Sequence, residues 1–242
     1  ENISLLSMIL AILFGYFLLT IFCTVQNRFA DKNILDAMED GFGKKIGFFI
    51  NSFLCFVVFL LMVIQMLHLT NFIYTEYLNE TSFFVLVLLF FLSTFYVAHK
   101  GLESLCKSCF LFFILSIFLF LVKCFGVISE VDPMYLLPFK ITHPFLKETF
   151  SFCTFYILPL FLILLIPKNN IKRNHVLSSN MKLTYLFTSL MLFLNLFFIL
   201  TVLSPSLAST YSFPEFHLLK SVKILGFIEK IESFLSIAPI FD

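Results

Sequence analysis

Apolar residues occupy long runs of this chain, and short polar stretches separate the runs. A helix of about 20 apolar residues crosses the ~30 Å hydrocarbon core of a bilayer, so runs of this length predict membrane spans. The runs cover 5–25, 46–73, 82–98, 108–128, 148–167 and 183–203, and a seventh begins near Gly226. We therefore predict an all-α membrane protein, a polytopic helix bundle of about seven spans.

The composition supports this prediction. The chain is 60% hydrophobic and 13% charged, whereas a soluble domain carries about 25% charged residues. The net charge is +1 and no run of basic residues occurs, so we expect no nucleic-acid partner. Between the first two runs, Ile34, Leu35, Met38 and Phe42 recur at helical spacing, which predicts a short amphipathic helix at the membrane interface.

The basic residues predict an orientation. Lys and Arg concentrate in cytoplasmic loops, and ten of the sixteen follow the first, third and fifth runs. That side should therefore be cytoplasmic, with Glu1 on the opposite side. This orientation predicts that the chain is a fragment and that an odd number of spans precedes it. The ten residues are Arg28, Lys32, Lys44, Lys45, Lys100, Lys107, Lys168, Lys172, Arg173 and Lys182.

The sequence contains no recognisable catalytic or metal-binding arrangement. No nucleophile elbow, zincin motif or phosphate-binding loop is present, and the five histidines are scattered. Cys106 and Cys109 form a C-x-x-C at the start of an apolar run. In this position we expect the two cysteines to serve as small buried apolar residues. We predict that the protein is not an enzyme and holds no metal or cofactor.

The run 148–167 differs from the others because Pro159 divides it and small polar residues precede the proline. A proline in a spanning helix removes a backbone donor, and the groups it frees need a partner from the protein or from a cavity. Transporters place ligands at such breaks. Candidate ligand-binding residues are therefore Ser151, Phe152, Cys153 and Thr154. The alternative is a kinked structural helix whose hydroxyls bond back to its own backbone.

Two acidic residues mark a second candidate site. Glu229 and Glu232 lie three residues apart, on one face of the seventh run, and ionisable residues in spans tend to face a cavity or a partner. With Tyr96, near the end of the third run, they form a candidate gating or polar network. The alternative is an ordinary helix start in the headgroup layer, where acidic residues suit the helix dipole.

Four motifs then appear in a characteristic order. Residues 79–81 resemble a P-E-T motif, 96–103 a Y-x-x-x-K-G-x-E motif, 132–138 a loop ending in L-L-P, and 227–232 an F-L-E-R-x-E motif. In order and spacing they resemble the endospore germination permeases, the B-type subunits of nutrient germinant receptors. This family belongs to the amino acid–polyamine–organocation superfamily.

The resemblance implies a LeuT-like inverted-repeat fold of about ten spans, of which this chain would supply spans two to eight as a single transmembrane domain, 1–242. The run 148–167 would be the sixth span, a broken helix. Where the family tends to have Gly-Gly-Glu, this sequence has Thr154, Phe155 and Tyr156.

The function that the resemblance implies is the sensing of a small nutrient such as an amino acid. The chain would act in the spore inner membrane with an A-type subunit and a lipoprotein C-type subunit. Two alternatives stay open at this point. The chain could be a secondary transporter that moves amino acids with a coupled ion, or a structural subunit that binds no ligand, which the missing glycines favour.

Overall fold

A computed structural model of the protein describes residues 4–29, 32, 34–136, 145–166 and 177–221. Helices make up almost all of these residues, and no β-strand occurs among them. The α-helices are α1 Ser4–Arg28, α2 Ile34–Phe42, α3 Lys44–Glu76, α4 Phe83–Lys100, α5 Leu102–Val127, α6 Phe145–Phe152, α7 Leu177–Val202, α8 Ser204–Thr210 and α9 Pro214–Ser221.

Five described helices are long and apolar enough to cross a membrane: α1, α3, α4, α5 with the 3₁₀ turn Ile128–Glu130 that continues it, and α7. They have 18 to 33 residues, and their mean hydropathy lies between 1.9 and 2.7. The prediction of an all-α polytopic membrane bundle is thereby confirmed. The fifth predicted span is not one regular α-helix, and the seventh lies outside the described residues. The inverted-repeat arrangement stays a prediction.

The chain divides into two compact units. The first comprises Glu1–Phe59 and Leu136–Leu200, and the second comprises Leu60–Tyr135 and Thr201–Asp242. Each unit is built from two pieces that are distant in sequence. The assignment of 1–242 to a single transmembrane domain stays a prediction.

In the first unit, α1 packs along a helix that changes its winding twice. This helix consists of α6, a π-helical stretch Cys153–Ile157 and a 3₁₀ stretch Leu158–Leu165; we call it the broken helix (145–165). Ser7 of α1 faces its start, and the Gln26 side chain donates to the Ile166 carbonyl at its end, at 3.0 Å. The two helices therefore run in the same direction.

A tight hairpin joins α2 to α3 in the same unit. Gly43, at φ 81°, makes the turn between them in the left-handed region that favours glycine. On α3, the Asn51 side chain donates to the Leu35 carbonyl at 3.0 Å, and Gly47 lies directly against Glu39. The short amphipathic helix predicted from the sequence is confirmed as α2. Lys32, just before α2, forms an ion pair with Asp40 of that helix. The hydrogen bond to Asp40 and the negative charge of its carboxylate raise the pKa of Lys32.

The second unit contains an aromatic cluster between the end of α3 and α9. Phe72 contacts the rings of Phe213 and Phe216, with centroids 4.9 and 5.8 Å away, and Tyr77 contacts Phe216 at 5.5 Å. Phe72, Phe216 and Leu218 are buried. Edge-on rings at these separations attract one another, so the cluster fixes α9 against α3.

Candidate ligand cavity

The broken helix departs from α-helical winding where the sequence places its polar residues. The π stretch begins at Cys153, directly after α6, and the 3₁₀ stretch includes Pro159. Because proline has no backbone N–H, the α-helical hydrogen bond at this point cannot form. Single π turns and internal 3₁₀ stretches occur frequently at functional sites and hinges. The predicted break in this span is therefore present.

The hydroxyls of the predicted site bond to their own helix. Ser151 Oγ donates to the Lys147 carbonyl at 3.0 Å, and Thr154 Oγ1 donates to the Phe150 carbonyl at 2.9 Å. Ser151 is exposed, while Cys153 and Thr154 are partly exposed. These bonds are the ones that the structural alternative expects. A ligand-binding role for 151–154 stays a prediction.

A cavity of about 390 Å³ lies in the first unit, between α1, the broken helix and α7. This volume is within the range of about 300–1,000 Å³ that small-molecule sites occupy. Its lining residues are Met8, Ala11, Ile12 and Leu19 from α1; Phe152, Tyr156, Ile157 and Leu160 from the broken helix; and Asn180, Met181, Thr184, Tyr185, Thr188, Ser189 and Leu192 from α7. Of the four predicted site residues, Phe152 alone is in this lining.

The three walls of the cavity differ in chemistry. The residues from α1 and the broken helix are apolar or aromatic. Polar residues from α7 recur every four positions, at Asn180, Thr184 and Thr188, and therefore share one helix face. Ser189 adds a buried hydroxyl beside them. The cavity thus combines one polar wall with an apolar interior, an arrangement suited to a ligand with a polar head and an apolar body.

Tyr185 closes one side of the cavity. Its hydroxyl donates to the Ile12 carbonyl at 2.9 Å, next to Gly15 of α1. A Cβ atom at Gly15 would lie 2.2 Å from that hydroxyl and 2.9 Å from the side chain of Ile157. The absence of a side chain at Gly15 therefore lets α1, α7 and the π stretch approach one another.

A family model described as a spore germination protein matches residues 4–241. The chain belongs to this family. The match covers nearly all of its length and confirms the resemblance drawn from the four motifs. This spore germination protein is accordingly an integral membrane protein of a permease-type family. No curated protein and no solved structure matches the chain.

The other predicted site residues of this family member lie elsewhere. Glu229 and Glu232 are outside the described residues. Tyr96 lies on α4, in the second unit, and 62% of its surface is exposed. Its ring contacts Lys100, whose Nζ is 5.2 Å from the ring centroid. The gating network of these three residues stays a prediction.

The polar wall on α7 was not predicted from the sequence. Asn180 lies just before the apolar run 183–203, and Thr184 and Thr188 follow within it at a spacing of four; this spacing was the available signal. It did not stand out because hydroxyl residues in spanning helices commonly bond to their own backbone. Thr188 does so, since its Oγ1 contacts the Thr184 carbonyl at 2.5 Å. Only the packing of α7 against α1 shows that this face lines a cavity.

Proposed function

We propose that this chain is the membrane subunit of a spore nutrient germinant receptor and senses a small nutrient in the cavity of the first unit. Its ligand would be an amino acid with an apolar side chain. The observation that carries the proposal is the cavity between the polar face of α7 and the break in the helix 145–165. Family membership supports the role in germination.

The chemistry of the walls supports an amino acid as the ligand. The amide of Asn180 and the hydroxyl of Thr184 offer donors and acceptors to carboxylate and ammonium groups, and the Thr188 oxygen, whose proton is donated to the Thr184 carbonyl, offers an acceptor to an ammonium group. Phe152, Tyr156 and the α1 residues offer apolar surface to a side chain. We identify no charged residue in the described lining, so the ligand should carry no net charge, as a zwitterion does.

The break supports a response to binding. A stretch with irregular winding has fewer regular hydrogen bonds to lose when it changes conformation, and such stretches often act as hinges. A ligand that binds one arrangement of the broken helix more tightly shifts the population toward it. In this proposal, an A-type subunit and a lipoprotein C-type subunit read out that shift in the spore inner membrane.

The test compares two matched variants. Thr188→Phe places a ring at the lining of the cavity, while Thr94→Phe places the same ring on α4, outside the described lining; both threonines are exposed. Both changes remove a threonine that bonds to the carbonyl four residues earlier. The purified protein is heated in detergent micelles with each of the twenty amino acids. At a hundredfold excess over Kd, binding stabilises the folded state by about 2.7 kcal/mol and raises Tm by several degrees.

We expect one or a few apolar amino acids to raise the Tm of the parent and of Thr94→Phe but not that of Thr188→Phe. In spores, Thr188→Phe should abolish germination with the same amino acid. A response that survives in Thr188→Phe would overturn the cavity as the site. Uptake of the labelled amino acid into proteoliposomes would indicate transport instead of sensing.

A further inference from the structure

The second unit contains a histidine–carboxylate pair that joins α9 to the end of α3. His217, on α9, places Nε2 3.8 Å from Oε1 of Glu76, in the last turn of α3. This separation is within the range of an ion pair but beyond that of a hydrogen bond. The two groups are thus close enough to interact strongly if the imidazole is charged, and only weakly if it is neutral.

The surroundings of the pair exclude much of the solvent. The side chain of His217 is 27% exposed and that of Glu76 is 14% exposed. The Tyr211 ring stacks on the imidazole with centroids 3.9 Å apart, and the Phe216 ring contacts its edge at 5.7 Å. Charges attract more strongly where aromatic rings replace water, because the effective dielectric constant is lower. A stacked tyrosine ring also favours a cation over a neutral ring.

The other titratable groups near α9 are placed differently. Glu215, on the same helix, lies near enough to Lys123 of α5 for their charges to attract. His68 of α3 lies against Phe213, with centroids 5.4 Å apart. Tyr77 contacts Phe216, with ring centroids 5.5 Å apart. Among the described groups, Glu76 is therefore the charged residue that His217 faces.

We propose that the Glu76–His217 pair is a proton-binding site that holds α9 against α3 when the imidazole is protonated. The proton comes from water and adds to the ring nitrogen that lacks one, which places a positive charge 3.8 Å from the Glu76 carboxylate. Deprotonation therefore weakens a charged attachment between α9 and α3.

The experiment measures hydrogen exchange of residues 211–221 in the full chain in detergent micelles at pH 5.5 and pH 8.0, corrected for the intrinsic rate. We expect protection to be roughly tenfold higher at pH 5.5, the effect expected for opposite charges that attract each other at a partly buried site. His217→Gln and Glu76→Gln should each abolish this difference. His217→Lys, which keeps a positive charge at both values, should give high protection at both.

Two controls separate this pair from other histidines. His99→Gln, on the exposed end of α4, and His68→Gln should both keep the pH difference. The proposal would be overturned if His68→Gln lost the pH dependence of protection and His217→Gln kept it, because the proton would then bind at His68. Low protection of His217→Lys at both pH values would also overturn the proposal, because a positive charge at this position would then not be what protects α9. Should Glu76→Gln fail to fold, the two His217 variants still decide the outcome.

Discussion

The Tyr185 hydroxyl donates a 2.9 Å hydrogen bond to the backbone carbonyl of Ile12. These residues are 173 positions apart in sequence, and they join α7 to α1 at the edge of the cavity. The carbonyl of Ile12 lies within a helix and already accepts a backbone bond there, so the tyrosine adds a second donor to it. Close approach at Gly15 makes the contact feasible. The lack of a side chain at Gly15 of α1 thus leaves the space that the Tyr185 hydroxyl of α7 occupies.

Gly15→Ala should destabilise the protein. The added methyl group would overlap the Tyr185 hydroxyl at 2.2 Å, and Tyr185 cannot move without losing its bond to Ile12. Overpacking costs about 1–3 kcal/mol, which exceeds the gain of about 1 kcal/mol that alanine has over glycine in a helix. Denaturant unfolding in micelles, followed by circular dichroism, measures the net change.

The matched control is Gly41→Ala, because a Cβ atom at Gly41 in α2 would meet nothing within 4 Å. This variant should be unchanged or slightly more stable. Tyr185→Phe removes the clashing oxygen, so the double variant with Gly15→Ala should lose less stability than the sum of the single changes. Additive losses would show that the hydroxyl is not the obstacle.

Gln26→Leu should loosen the end of the broken helix. The buried Gln26 side chain donates to the Ile166 carbonyl at 3.0 Å, and a leucine would leave that carbonyl without this donor. A buried acceptor that loses its partner costs about 1–3 kcal/mol. Hydrogen exchange of residues 158–166 should increase. Thr24→Val, an exposed position whose hydroxyl contacts the Thr20 carbonyl, should change stability by less than about 0.5 kcal/mol.

Gly47→Ala should separate α2 from α3. The new Cβ atom would lie 2.6 Å from the Cα atom of Glu39, and a backbone atom can move only if the whole helix moves. Movement of α2 away from α3 would also break the hydrogen bond from the Asn51 side chain to the Leu35 carbonyl. Since the chain has no tryptophan, Phe42→Trp introduces a single tryptophan on α2, which can be excited separately from the eight tyrosines. We expect the tryptophan emission of Phe42→Trp to change when Gly47→Ala is added and to stay the same when Gly41→Ala is added. Equal emission from Phe42→Trp alone and from both double variants would contradict the close packing of α2 against α3.

Ser151→Ala and Thr154→Val test the site predicted from the sequence. Both hydroxyls bond to carbonyls of their own helix, so their removal should cost less than about 1 kcal/mol. Thermal shift with the amino acid found for the parent then separates two hypotheses. A lost ligand response at unchanged stability would support 151–154 as ligand-binding residues, whereas a retained response would support the structural alternative.

The arrangement of charges and the length of the apolar runs made much of the fold predictable. Residues 5–25 became α1 and 46–73 became most of α3, because a chain in lipid has to satisfy its backbone within each span. The break near Pro159 was also predictable, since proline cannot donate a backbone hydrogen bond. Family membership followed from four short motifs whose order, more than any one of them, was specific.

The cavity was not predictable in this way. Thr188 and Thr94 are both threonines in apolar helices, and both bond to the carbonyl four residues earlier, yet only Thr188 lines the cavity. Glu76 and His217 are 141 positions apart, and neither lies in a recognisable motif. The sequence determined which segments are helical and apolar, because helix formation and transfer into lipid depend on local composition. The tertiary structure decided which faces meet, because contacts between distant helices depend on how their side chains fit together.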